Sequence, residues 1–186
     1  MDIDNDYGFL AAILRSSVYP AISNPPKADE KSHTYKGNAM KYAEAKQGRI
    51  FIIRLEDGDV IHQEIERFAR DQSIKAAAMI ILGGADYNSK LIVGPKHGRK
   101  TPIHPMEVVL ENVHEIVGTG TVFPNDKGEP ILHMHIACGR ETSTITGCVR
   151  KGVKAWHILE VILIELLDTN AFRVLDPVHG LTVLKP

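Results

Sequence analysis

The sequence predicts an α+β domain built on a mostly antiparallel, twisted β-sheet with one main helix packed on it. Two observations carry this prediction. Many short runs rich in β-branched and aliphatic residues are separated by Gly, Pro, Asn or Asp, and only one stretch has clear helical periodicity. With 186 residues, the chain is long enough for one well-buried core and short for two. Its hydrophobic content of 44% and charged content of 24% match an ordinary globular protein.

Residues 1–39 stand apart as an N-terminal extension, partly flexible, with a short helix expected around Phe9–Ser16. A polar, proline-bearing tether from Ser23 to His33 follows. Met40 opens what looks like the domain proper, residues 40–186, so the first 39 residues are either an addition specific to this protein or the product of an upstream start.

From Arg49 the pattern becomes regular. Ile50–Leu55 is a β-run, and Glu56-Asp57-Gly58-Asp59 is a turn whose Asp59 is placed to cap the next element. In Val60–Ser73, Ile61, Ile65, Phe68 and Ala69 recur at the spacing of an amphipathic helix with one buried stripe. The charged residues between them form a solvated face. Strands are then expected over Ala76–Leu82, Lys90–Val93, Glu107–Asn112, Glu115–Val122, Leu132–Cys138, Thr142–Val149 and His157–Leu167. The last run fits neither period cleanly, but Val161, Ile162 and Ile164 favour a strand. Leu82-Gly83-Gly84-Ala85-Asp86 has no phosphate-loop pattern and is expected to be a tight strand-to-strand turn. Gly118-Thr119-Gly120, inside a β-run, signals a bulge or a close backbone approach.

The chemistry is concentrated in Ile131-Leu132-His133-Met134-His135-Ile136-Ala137-Cys138. Alternate side chains leave the same face of a strand, so His133 and His135 project together from backbone positions roughly 6–7 Å apart. Cys148, thirteen residues further on and flanked by β-formers, is placed to supply a third ligand from a neighbouring strand. His133, His135 and Cys148 would then hold a metal with one coordination position open. The alternative is plain: a half-buried histidine pair bonded to water or backbone, and a small core cysteine.

Other titratable residues carry less. Glu160, inside an apolar run, must be paired, protonated or solvent-facing. His157 looks like a strand-end histidine, and His104 and His114 are minor candidates for a site wall. His97-Gly98-Arg99-Lys100-Thr101-Pro102 is a small basic turn, most simply a solvated one.

With 22 basic and 23 acidic residues the formal charge is -1, which does not advertise a nucleic-acid surface. Two cysteines, Cys138 and Cys148, make no secreted disulfide framework, and Asp2, Asp4 and Asp6 precede the short apolar stretch at Phe9–Leu14. The longest apolar run near the C-terminus is interrupted by Glu160 and Glu165. A cytoplasmic protein with no membrane partner is expected.

The order of Arg49–Leu55 with Asp57-Gly58-Asp59, the helix, Ile81–Ala85, Glu115–Gly120, His133-Met134-His135 and Gly147-Cys148-Val149 resembles the PPC domain, the "plants and prokaryotes conserved" family, over about residues 40–186. The resemblance implies an α+β domain that assembles as a homotrimer through its sheets. It also implies a histidine cluster able to hold a metal, with His133 and His135 matching the family's His-x-His strand. The family's further histidine, in a Gly-Gly-His segment, is replaced by Cys148 after Thr146-Gly147, which softens the site toward zinc, or another divalent transition metal, over harder ions. The family is often described as DNA-binding. No Arg-Gly-Arg-Pro core of the AT-hook type occurs, so the resemblance implies a regulator acting through DNA or a protein partner by analogy alone. The alternative function is a zinc-dependent small-molecule enzyme using the open position, with Glu160 or His157 moving protons.

Overall fold

A computed structural model describes residues 40–186. The expected extension, with its helix around Phe9–Ser16 and its tether, lies outside the described residues.

Ten strands and one helix follow in the order β1 (Lys46–Glu56), α1 (Ile61–Asp71), β2 (Ala77–Ala85), β3 (Lys90–Pro95), β4 (Pro105–Val109), β5 (His114–Pro124), β6 (Pro130–Arg140), β7 (Ser143–Cys148), β8 (Ala155–Leu167), β9 (Phe172–Asp176) and β10 (Leu181–Lys185). The first eight form one sheet in the order β1-β8-β2-β5-β6-β7-β3-β4, and β9 and β10 pair as a separate hairpin. Every pairing is antiparallel, as strands joined by short turns require.

Strand alternation gives the sheet two different faces. The inner face carries Met79, Ile81, Val122, Leu132, Met134, Ile136, Leu159, Val161 and Leu163, and α1 lays Ile61, Ile65 and Ala69 against them, each fully buried. Fully burying a side chain of this size stabilises by about 1.5–3 kcal/mol. The helix is tied down by Glu66, whose Oε1 accepts the Leu132 backbone N–H at 2.9 Å. Cys138 also sits on the inner face, fully buried, and that burial pushes its thiol up to about 12.

Asp59 does not cap the helix. Val60 occupies the cap position with no side-chain bond, while Asp59 Oδ2 accepts the Glu56 N–H at 2.9 Å and so closes the preceding turn. Gly83 and Gly84 are likewise not a turn. They lie inside β2 where β8 crosses with a register shift, and a Cβ on Gly83 would come within 2.4 Å of the Ile158 carbonyl oxygen. The reversal comes afterwards, at Asp86–Ser89, with Asn88 at φ 61°. The β9–β10 hairpin is an addition to the expected elements. The expected strands end at Leu167, yet Phe172–Leu175 and Leu181–Leu184 around Pro177 and Gly180 carry the hairpin signal.

The acid buried in β8 is Glu165, not Glu160. The Glu165 carboxylate accepts both prongs of the Arg49 guanidinium, at 2.7 and 2.8 Å, and the Arg49 backbone N–H at 3.2 Å. Arg49 also donates to the Gln72 carbonyl at 3.0 Å, so one ion pair joins β1, β8 and the C-terminal end of α1. Glu160 faces solvent on the other side of the sheet, opposite Arg54 of β1.

Candidate metal centre

His133 and His135 leave β6 on the outer face of the sheet, away from the helix, because the intervening Met134 and the flanking Leu132 and Ile136 are drawn into the core. The two rings meet edge to face with centroids 5.0 Å apart. Directly across the ladder from His135 lies Cys148, the last residue of β7, and the pairing puts its side chain on the same face. The imidazoles are exposed and Cys148 is buried. One donor atom from each of the three residues falls within 4.8 Å of the others.

This donor set fits a divalent transition metal: two imidazoles, one thiol that ionises on coordination, and bond lengths that bring tetrahedral ligand atoms to roughly 3.5 Å of one another. Small rotations about the histidine side-chain torsions would close the remaining gap. The pKa of His133 is held below its ordinary value, first by burial, then by Arg173, His135 and Arg150. A neutral imidazole is the form that ligates.

Two glycines make the ladder beside the site possible. A Cβ on Gly118 would lie 2.4 Å from the His135 carbonyl oxygen, and one on Gly120 would lie 2.7 Å from Met134 Cβ. The pairing of β5 with β6 runs without a register shift, so Gly118-Thr119-Gly120 is a close backbone approach and not a bulge.

From the histidines a groove of about 650 Å³ runs along the outer face, lined by Ala78, Ile80, Thr119, Thr121, Ile162 and Ile164. Around it the same face exposes Ile50, Ile52, Leu82 and Val117, with Ile52 88% and Val117 62% accessible. Four adjacent strands thus present a continuous apolar surface, which is unusual for a face meant for water.

The other candidates do not join the site. Glu160 and His157 are on β8, separated from β6 by β2 and β5, which at the normal strand spacing is roughly 14 Å. His157, at φ 58°, donates its backbone N–H to Asp57 at 2.7 Å and packs on Trp156. His114 starts β5 with its Nδ1 2.8 Å from the Asn112 carbonyl oxygen, and His104 lies in the β3–β4 loop with the basic turn His97–Pro102.

Sequence reasoning missed Arg173. This residue of β9 is 4% accessible, and its Nη2 donates to Thr121 Oγ1 at 2.8 Å, while Nε and Nη2 reach the Ile131 and Thr121 carbonyls at 3.4 Å. Thr121 is paired with His133 across the β5–β6 ladder. Burial lowers the Arg173 pKa and the Cys148 side chain opposes that shift. The signal was present in a cation set between Phe172 and Val174-Leu175 in a hairpin strand.

The family model described as the Plants and Prokaryotes Conserved (PCC) domain matches residues 42–167. No curated protein sequence matches the chain. Among solved structures, a metal-containing protein from Archaeoglobus fulgidus superposes with a TM-score of 0.68 at 24% identity, covering 79% of this chain and 100% of its own. A plant- and prokaryote-conserved protein from Pyrococcus horikoshii gives a TM-score of 0.68 at 22% identity, covering 79% and 98%. A protein from Ralstonia eutropha provisionally described as DNA-binding gives 0.58 at 21% identity, covering 73% and 90%.

Proposed function

The chain belongs to the Plants and Prokaryotes Conserved domain family, and from that footing we propose that it is a metal-holding, self-associating binding module that acts in regulation. His133, His135 and Cys148 hold the ion, which we take to be zinc, and residues 40–186 form the working domain behind the extension 1–39. The observation that carries this reading is the convergence of one thiol and two imidazoles from two neighbouring strands on a single point. The metal-containing relative from Archaeoglobus fulgidus supports it. Metal analysis of the purified protein tests it: near one zinc per chain is expected, and loss of the metal in Cys148→Ala and His135→Ala. Metal-free protein, or metal retained without both ligands, overturns it.

Self-association is proposed through the outer face, as a homotrimer. The apolar surface spread over β1, β8, β2 and β5 supports this, because a patch of that extent is ordinarily covered by a partner. The Ralstonia eutropha neighbour's description as DNA-binding supports DNA as a partner, while a protein partner and a regulatory role rest on the family resemblance alone. The formal charge of -1 makes any DNA affinity depend on local basic segments such as Lys96–Lys100. A gel shift at low salt decides the DNA version: a complex that dissolves steeply as salt rises supports it, and no complex at micromolar protein ends it. Among the described residues no helix is long and apolar enough to cross a membrane.

A second reading is favoured by the open coordination position and the adjoining groove, namely a zinc-dependent enzyme acting on a small molecule. There zinc would supply Lewis acidity. This chain would bind and orient the substrate along Ile80, Thr119 and Ile162, and any proton would have to be moved by a group other than Glu160 or His157. Turnover by the zinc-loaded protein that disappears in His133→Ala would establish it.

A further inference from the structure

Arg173 is a buried cation without a carboxylate. Among the described residues no acid comes within 4.0 Å of its guanidinium, which is held by Thr121 and by main-chain oxygens and lies 5.8 Å from the centroid of the Phe123 ring. Removing a charge from water without a counter-charge is expensive unless something anionic comes to it. The place where an anion would come is defined by geometry. Thr121, the anchor of Arg173, lines the same groove as His133 and His135 and is paired with His133 on β5.

Charge counting at the site points the same way. Two neutral imidazoles and one thiolate leave a divalent ion with a net charge of +1, and Arg173 adds another beside it. Neither Glu160 nor any other acid lines the groove. The open coordination position therefore faces a positive field on an apolar floor, which favours an anionic oxygen over the neutral water that ordinarily fills such a position.

We infer that Arg173 makes the His133, His135 and Cys148 centre an oxyanion receptor, in which the guanidinium holds a carboxylate or phosphate group against the ion's open position. This rests on the metal reading above and adds the ligand class. With Nε and Nη2 already donating to Ile131 and Thr121, Nη1 is the donor left for an oxygen of the anion, a single charge-assisted hydrogen bond from a group that stays charged. Arg173 lies beyond residues 42–167, the stretch matched by the family model.

The test uses the full-length protein loaded with cobalt(II), whose visible bands report the ligand field, titrated with acetate in one arm and inorganic phosphate in the other. The bands of the parent protein are expected to move with saturation in at least one arm, and the tighter arm names the source. In Arg173→Met, cobalt stoichiometry is retained and the anion midpoint rises on the order of tenfold to a hundredfold, the range for a lost charge-assisted hydrogen bond. Arg173→Lys keeps the charge and the aliphatic stem, and its midpoint is expected to fall between the two. It also serves if the methionine variant does not fold. Equal midpoints in the parent and the variants, or parent bands that neither anion moves, overturn the inference while leaving the metal site standing. A protein that takes up no cobalt overturns the metal reading itself.

Discussion

Gly118, paired with Ile136 across the β5–β6 ladder, lies so close to the peptide before it that a single methyl group on the glycine would press to 2.4 Å from the His135 carbonyl oxygen. The backbone that carries one of the proposed metal-ligating imidazoles is thus placed by the absence of a side chain on its neighbour. Gly118→Ala is expected to destabilise by about 1–3 kcal/mol as an overpacked site. Because the strain falls on the His135 peptide, it should also weaken metal retention. Thermal melts with and without a chelator check this: a variant with unchanged melting and metal content would show that the ladder yields easily.

The two cysteines should behave differently because they face opposite sides of the sheet. Burial holds the Cys138 thiol at about 12, so its thiolate fraction at pH 8 is on the order of one part in ten thousand. Cys138 is expected to resist alkylation in the native protein, and peptide mapping after a timed exposure to iodoacetamide would show it unmodified until denaturant is added. Early labelling of Cys138 would contradict its place in the core.

The Arg49–Glu165 pair sets an acid limit on stability. Its hydrogen bonds and charge hold the Glu165 carboxyl below its ordinary value near 4.5. A depressed carboxyl pKa contributes stability that is present above the unfolded value and lost as pH falls through the folded one. The melting temperature is therefore expected to hold down to about pH 5 and then decline. In Glu165→Gln the starting temperature is lower and this part of the acid decline is flattened. Parallel declines in the two proteins would show that other carboxylates dominate.

The outer face should be separable from the fold. Ile52 is 88% accessible in β1 and packs on nothing in the core, so Ile52→Asp is expected to change monomer stability by no more than about 0.5 kcal/mol. Placed in the apolar interface proposed above, the same carboxylate should break self-association. Light scattering is expected to give about three times the 20.6 kDa chain mass for the parent protein and the single-chain mass for the variant. A variant that keeps the parent mass would move the interface elsewhere.

Much of this architecture was legible in the chain because its signals are local. β-Branched and aliphatic runs in Ile50–Leu55 and Thr142–Val149 and alternation in Leu132–Cys138 mark strands, and the spacing of Ile61, Ile65 and Ala69 marks the helix. The His-x-His pair shares a face by strand geometry alone. Where local reasoning failed, a long-range contact had overridden it. Gly83 and Gly84 look like a turn but are the crossing point of β8, and Asp59 looks like a cap but closes a turn.

What the sequence determined by itself was the list of elements from β1 to β8, the helix and the pair of imidazoles, since period and turn chemistry act within a few residues. Only the tertiary structure decided that Cys148 stands directly across from His135, that Glu165 and not Glu160 is the buried acid, and that Arg173 reaches Thr121 beside the site. Each of those depends on strand order and register, which are fixed when the whole inner face is buried at once, and no window of sequence holds that information.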